Sequence, residues 1–348
     1  MMQNNFGPIA LLGSGETSLA GGRIFEMIAR RYSDPLRIAI LETPAGFELN
    51  SQQVAGRVGE FLQSRLQNFH PQVNVIPARK RGSPFDPDDS VILEPLLYAD
   101  LIFMGAGSPT YAVRQLQGSL AWDLVRARHR MGAALVFASA AVIAIGAWVL
   151  QVYEVYKVGE DIRVASGLDL FADFNLPLSI IPHWNNTDGG DDVDTSRCFV
   201  GLERFNHWCA LLPPGQTTVG LDEHTGVIID ISSGMCTVSG VSSVTLLRES
   251  NPEIFPAGAE FPVSELGEVR FPGNPEDGIP ASALEMVRSA VNLQQDDIPA
   301  AVTLLAEERL RSRLRKDWTG ADVLRKKMET HGWDVRDTPS GQEIFKRV

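Results

Sequence analysis

Residues 133–150 read AALVFASAAVIAIGAWVL, with Ser139 the single polar side chain in the run and Arg126, Arg128 and Arg130 just upstream. Two structures suit such a stretch. It is long enough to cross a membrane as a helix with positive flanking charge. It also suits a buried strand over Ala134–Ala138 that turns at Ser139 into a buried helix. Periodicity does not separate the two, because both are apolar on every side. The neighbourhood favours strand and helix: strand-like and helix-like segments alternate on both sides, and no second span accompanies this one.

Outward from this run, residues 8–12, 37–41, 73–76 and 101–104 are short apolar stretches with strand character, and 134–138 makes a fifth. Between them, residues 23–32, 54–67 and 111–116 carry helical spacing. Such alternation predicts an α/β protein whose mostly parallel sheet is sandwiched by helices in three layers. Ligands in that architecture sit beyond the C-terminal strand ends, where Gly13-Ser14-Gly15 and Gly105-Ala106-Gly107 lie. These loops are expected to supply backbone N–H groups. After about residue 160 the strands become shorter: 178–181, 218–221, 227–231, 236–238 and 244–247. Residues 250–280, rich in Pro, Gly and Glu, read as one or two last strands and then a linker. The expected division is an α/β domain over 1–268, a linker over 269–298 and a helical-hairpin module over 299–348.

Charge supports that division. Residues 299–348 hold 11 Lys and Arg against 8 Asp and Glu, a net of +3, whereas the whole chain carries −12, so the rest carries −15. A protein that coats nucleic acid over its whole surface is excluded. Three cysteines without metal-type spacing fit a reducing compartment, and the N-terminus lacks the pattern of a signal peptide. The expectation is a cytoplasmic protein without a membrane anchor.

Ser139 stands where a strand meets a helix, the place of a nucleophile elbow, whose turn exposes a hydroxyl and leaves the next N–H for an oxyanion. A serine among alanines also suits a core whose hydroxyl bonds back to a carbonyl. Two further strand ends bear on the choice: Leu178-Ser179-Ile180-Ile181-Pro182-His183-Trp184-Asn185-Asn186 ends in a histidine, and Gly220-Leu221-Asp222-Glu223-His224 in a carboxylate. Nucleophile, base and orienter are the set a covalent hydrolase needs. His224 competes with His183 for the base, but adjacent residues of an extended chain point apart. Gly13-Ser14-Gly15 lacks the third glycine of a dinucleotide site, since Ser18 occupies it. The acidic loop at Asp188, Asp191, Asp192 and Asp194 lacks calcium-ligand spacing. Neither a cofactor nor a metal is expected.

The strings GSGE, GAGSPTY, PLSIIPHWNN and GLDEHTGVIID, in that order, resemble those of cyanophycinases and aspartyl dipeptidases, serine peptidases on a class I glutamine amidotransferase-like fold. The resemblance spans roughly residues 7–265. It implies Ser139 as nucleophile, His183 as base, Glu223 as its acidic partner, and the N–H groups of Gly107 and Ala140 as oxyanion donors. The implied reaction is cleavage of a small peptide or isopeptide bond, with aspartate-rich substrates in view. Glutamine amidotransferase chemistry is disfavoured, because its nucleophile is cysteine. One departure stands out. Two residues before the serine, where the family has a very small residue, this chain has Phe137, and two after it has Ala141. The ring requires either a compensating geometry or a distorted elbow, and the latter would leave a catalytically impaired binding protein.

Residues 300–343, including Glu307-Glu308-Arg309, Arg315-Lys316-Asp317-Trp318 and Gly332-Trp333-Asp334-Val335-Arg336-Asp337, resemble the end of a cysteinyl-tRNA synthetase. That resemblance implies a tRNA or other RNA contact through Arg309, Trp318, Arg325 and Asp337. A basic helix pair with an exposed aromatic suits single-stranded RNA. The plainer alternative packs Leu304, Leu310, Leu314, Trp318 and Leu324 as a hairpin core. Synthetase signatures are absent from the sequence, which argues against aminoacylation. Substrate identity and oligomeric state are not legible.

Overall fold

The structure is a computed structural model and describes residues 6–248, 251–272, 274, 276–296, 298–338 and 341–346. The chain forms two compact units, Met1–Val287 and Arg288–Val348. In the first, β1 (Ile9–Leu12), α1 (Leu19–Ala29), β2 (Arg37–Leu41), α2 (Ser51–Arg65) and β3 (Gln72–Ile76) are followed by β4 (Leu101–Met104), α3 (Pro109–Leu116), α4 (Leu120–Arg130), β5 (Ala134–Ala138) and α5 (Ala140–Ala144). A short ribbon of β6 (Trp148–Val149) and β7 (Ala165–Ser166) precedes β8 (Leu178–Ile181), α6 (Leu202–Leu211) and β9 (Thr217–Leu221). Then come β10 (Thr225–Asp230), β11 (Met235–Gly240), β12 (Ser243–Arg248), β13 (Asn251–Pro256), β14 (Glu260–Pro262) and α7 (Ala281–Asp296).

Eight strands make one sheet in the order β14-β11-β10-β1-β5-β4-β2-β3. The run from β1 to β3 is parallel, and β10, β11 and β14 add antiparallel pairs. Strand alternation splits the core in two. Ala10, Leu12, Ile38, Ile40, Val136 and Ala138 pack with α1 and α2 on one face. Ile9, Leu11, Leu41, Met104, Leu135 and Phe137 pack with α3, α4 and α5 on the other. Both faces of β5 are therefore buried, which is why residues 134–138 read as an unbroken apolar run. Among the described residues no helix is long and apolar enough to cross a membrane. The expected three-layer arrangement is the one formed.

A second sheet, order β13-β12-β9-β8, was not expected as a separate layer. Its β8 and β9 are parallel neighbours. The chain leaves this sheet at Leu221 and enters the first at Thr225, so the turn between carries Glu223 from one sheet to the other.

Beneath α4, His129 is fully buried between the rings of Phe6 and Phe174, and its Nε2 donates to the Gly7 carbonyl at 2.9 Å. Nδ1 is enclosed without a partner. Desolvation pushes the imidazole pKa down to about 4, with the neighbouring Arg130 charge acting the same way. Asp173 in turn pairs with Arg126 and Arg130, at 2.5 and 3.2 Å.

Residues 281–296 lie within the expected linker but form α7. The Pro and Gly signal stops at Pro280, and Ala283, Leu284 and Val287 then bury one helical stripe. The second unit contains α8 (Ala300–Leu314), α9 (Trp318–Thr330) and a hairpin of β15 (Trp333–Thr338) and β16 (Gly341–Lys346). Its core is Val302, Ala306, Met328, Trp333 and Val335. The expected hairpin core is corrected: Leu304, Leu314 and Trp318 are exposed. Arg309 accounts for the difference. At 3% exposure it occupies an inward position of α8, donating to both carboxylate oxygens of Asp337 (2.9 and 3.1 Å) and to Gln342 (2.9 Å). A helix face that buries an arginine looks polar in the sequence, so the apolar residues on the other face were given the core.

Candidate active site

Three segments converge where the strands of both sheets end. Ser139 follows β5 and N-caps α5 with φ 52° and ψ −121°, a left-handed conformation costly for a residue with a Cβ. It is the strained strand-to-helix turn of a nucleophile elbow. Phe137 does not disturb it. Its side chain points into the α3–α5 face of the core, fully buried beside Leu11 and Met104 of the flanking strands, and the small Ala141 shares that face.

His183 follows β8, also with positive φ (50°). Its Nε2 lies 3.0 Å from Ser139 Oγ, and its Nδ1 lies 3.1 Å from Glu223 Oε1. The carboxylate can only accept, so Nδ1 carries the proton and Nε2 is left to accept from the hydroxyl. Two side chains without an assigned role in the sequence hold Glu223. Asn186 is buried and donates Nδ2 to the same Oε1 at 2.8 Å, and Asn185 Oδ1 accepts from the Glu223 N–H at 2.8 Å. The spacing of PHWNN puts both amides on the turn that bears His183. Asp222 points away: its Oδ2 accepts from the Ser242 and Ser243 hydroxyls and the Ser243 N–H, tying the turn to β12. His224 is exposed, with its backbone N–H given to Ser14 Oγ.

The other wall is the loop after β4. Gly107 has φ 143°, and a Cβ there would fall 2.0 Å from the Pro44 carbonyl oxygen, so only glycine fits. No described acceptor takes its N–H. Ala140 opens α5, so its N–H has no carbonyl one turn back. Both residues line the cavity that contains Ser139. The loop at 13–15 behaves otherwise than expected. Gly13 N–H is spent on the Thr225 carbonyl, and its own carbonyl accepts from His183 N–H, so this loop braces the His183 and Glu223 turns.

A cavity of about 230 Å³ opens beside Ser139, between Ala140, Gly107 and His183 on one side and Tyr153, Tyr156 and Phe199 on the other. The aromatic side was not anticipated. Its signal in the sequence is the pair of tyrosines in 151–157, QVYEVYK, whose apolar positions recur at helical spacing, and Glu154–Val158 form a short π-helical turn. Residues 197–199 all have positive φ and place Phe199 against the His183 ring, with centroids 5.5 Å apart and planes tilted by 49°. Cys198 is buried there, and burial holds its thiol well above the usual range, protonated. Among the described residues no cluster of His, Cys, Asp or Glu is arranged to hold a metal ion.

Of the four residues expected to meet RNA, Arg309 is buried against Asp337, and Arg325 pairs with Asp334 at 2.9 Å. Trp318 is 54% exposed, with the Arg313 guanidinium 5.1 Å from its ring centroid.

No protein-family model matches the chain. Among solved structures it is similar to a peptidase from an acI-B1 actinobacterium, with TM-score 0.60 and 19% identity over 75% of this chain and 98% of that one. That likeness extends to the fold: a mostly parallel sheet with flanking helices. A putative peptidase E protein from Listeria monocytogenes also aligns, at TM-score 0.42 and 13% identity, over 73% of this chain and 100% of that one. Among curated proteins, cysteine–tRNA ligase 1 of Burkholderia lata is 47% identical over 49 residues, 14% of this chain. The match spans 10% of that ligase's length.

Proposed function

We propose that the Met1–Val287 unit is a serine hydrolase that cleaves a small peptide or isopeptide bond. The observation that carries this reading is the continuous chain Ser139 Oγ, His183 Nε2, His183 Nδ1, Glu223 Oε1 on a strained elbow beside a cavity. His183 takes the Ser139 proton as Oγ attacks the carbonyl carbon. The oxyanion meets the N–H groups of Gly107 and Ala140. His183 then protonates the departing amine, which leaves an acyl-serine, and a water activated by the same imidazole releases the acid. Glu223 holds the ring in the tautomer this needs, and Asn186 holds Glu223. The actinobacterial peptidase supports the reading through its fold alone.

A fluorophosphonate probe tests it directly. The wild-type chain is expected to take one probe per molecule at Ser139, read by intact mass and peptide mapping, and Ser139→Ala to take none. Equal labelling of the two proteins would refute the nucleophile.

A second reading concerns residues 288–348, where exposed Trp318 beside Arg313 offers a stacking face with a cation. The ligase that shares this segment acts on tRNA, and we propose an RNA contact here. In a gel shift of the full chain with tRNA, Trp318→Ala is expected to weaken binding roughly 5- to 100-fold at low salt. No shift by the wild-type chain at about 50 mM salt counts this reading out.

A further inference from the structure

We infer that the cavity beside Ser139 selects an uncharged apolar or aromatic side chain on the acyl side of the scissile bond and discriminates against aspartate. The inference rests on the hydrolase reading above and departs from the aspartate preference that the family resemblance implies.

Size and lining come first. About 230 Å³ is below the roughly 300–1,000 Å³ of sites that enclose drug-sized molecules. It suits one side chain with the adjoining peptide unit. Ile143, Val152 and Pro109 make a buried apolar floor, while Tyr153, Tyr156 and Phe199 stand around it. An apolar group entering there gains from leaving water, and its contacts with three rings add to that.

Charge then decides against an anion. Lys157 is the one Lys or Arg among the residues lining the cavity, and it stands on the exposed rim with its ammonium 4.6 Å from the Tyr156 ring centroid. Three carboxylates stand outside the lining, next to residues that form it. Glu223 lies under His183. Glu154, on the tyrosine segment, has one oxygen bonded to the Thr110 hydroxyl at 2.5 Å and the other enclosed without a partner. Glu48 is close enough to act, with burial, in raising the Tyr153 pKa. The Cys198 thiol stays neutral and contributes no counter-charge. A carboxylate seated on Ile143 and Val152 would shed its water without a buried cation to replace it, which is the costly case.

Calorimetry on the full-length Ser139→Ala chain with Phe-Gly, Leu-Gly and Asp-Gly tests this without requiring turnover. Phe-Gly and Leu-Gly are expected to bind at least tenfold more tightly than Asp-Gly. Equal or tighter binding of Asp-Gly overturns the inference, and so does absence of binding by all three at millimolar concentration. Tyr153→Arg puts a cation at the half-exposed rim, where the fold tolerates it, and is expected to narrow the ratio at least fivefold; an unchanged ratio places the side chain elsewhere and overturns the assignment. Probe labelling keeps the two ideas apart. An unlabelled Ser139 with the apolar preference intact sinks the hydrolase reading alone, whereas a labelled Ser139 with an aspartate preference sinks this one alone.

Discussion

Exchanging His183 for alanine is expected to lower kcat by roughly 10⁴- to 10⁶-fold on any peptide or activated ester the protein turns over, while KM changes little. Among the described residues, the imidazole is the group placed to take the Ser139 Oγ proton, at 3.0 Å. Without it the attack falls to a neutral hydroxyl. The Gly107 and Ala140 N–H groups and the cavity remain in the variant, so binding and a residual rate persist. His224 does not rescue it, because that side chain is exposed on the far side of the turn, beside Gly15. Steady-state kinetics on the two proteins reads the effect. A loss of less than about tenfold would remove His183 from the reaction and, with it, the reason for the Glu223 and Asn186 contacts.

The second large effect is on stability in acid. His129 is expected to cost the folded state about 3 kcal/mol between pH 7 and pH 4. Its folded pKa is pushed from 6.5 down to about 4. The unfolded chain therefore binds a proton as the pH falls below 6.5, while the folded chain does not until about 4. The stability contribution is complete above 6.5 and is lost progressively over that window. The cause is local. Protonating Nδ1 would place a charge in an enclosed site without an acceptor, next to Arg130, with the Asp173 carboxylate already engaged by Arg126 and Arg130. Gln at this position keeps a donor for the Gly7 carbonyl and does not titrate. Urea unfolding of wild type and His129→Gln at several pH values should show the stability of wild type relative to the variant falling by about 3 kcal/mol from pH 7 to pH 4. A pH-independent difference would show that burial leaves the imidazole's affinity for a proton unchanged and would overturn this account.

Much of the frame was legible because it is written in local pattern. Four of the five parallel strands were readable as apolar runs, since a strand covered on both faces has few polar positions to interrupt it, whereas the edge strand β3 alternates exposed Gln72 and Asn74 with Val73 and Val75. Strands β2, β4, β5 and β8 lie where the pattern put them. Ser139, His183 and Glu223 were readable as candidates because each follows a strand end. Three helices, α4, α6 and α7, were not; α4 buries His129, Arg128 and Arg130 and so lacks a plainly apolar stripe. Arg309 misled in the same way, as a buried cation that reads as a surface one until its partner Asp337 is seen 28 residues on.

Residue order and spacing by themselves determined the layered α/β frame, the elbow position at Ser139 and the strand ends that carry His183 and a carboxylate, while Glu223 was singled out only by the family resemblance. Only the tertiary structure decided that β8 and β9 leave the first sheet for a second one, so that His183 and Glu223 arrive at Ser139 from a different layer. It alone turned Glu223 rather than Asp222 or His224 toward the imidazole, and gave Phe137 a place in the core instead of across the turn. The physical reason is common to all of these. Backbone periodicity is a property of neighbours along the chain, whereas which face a side chain meets depends on the register and twist of strands brought together from distant parts of it.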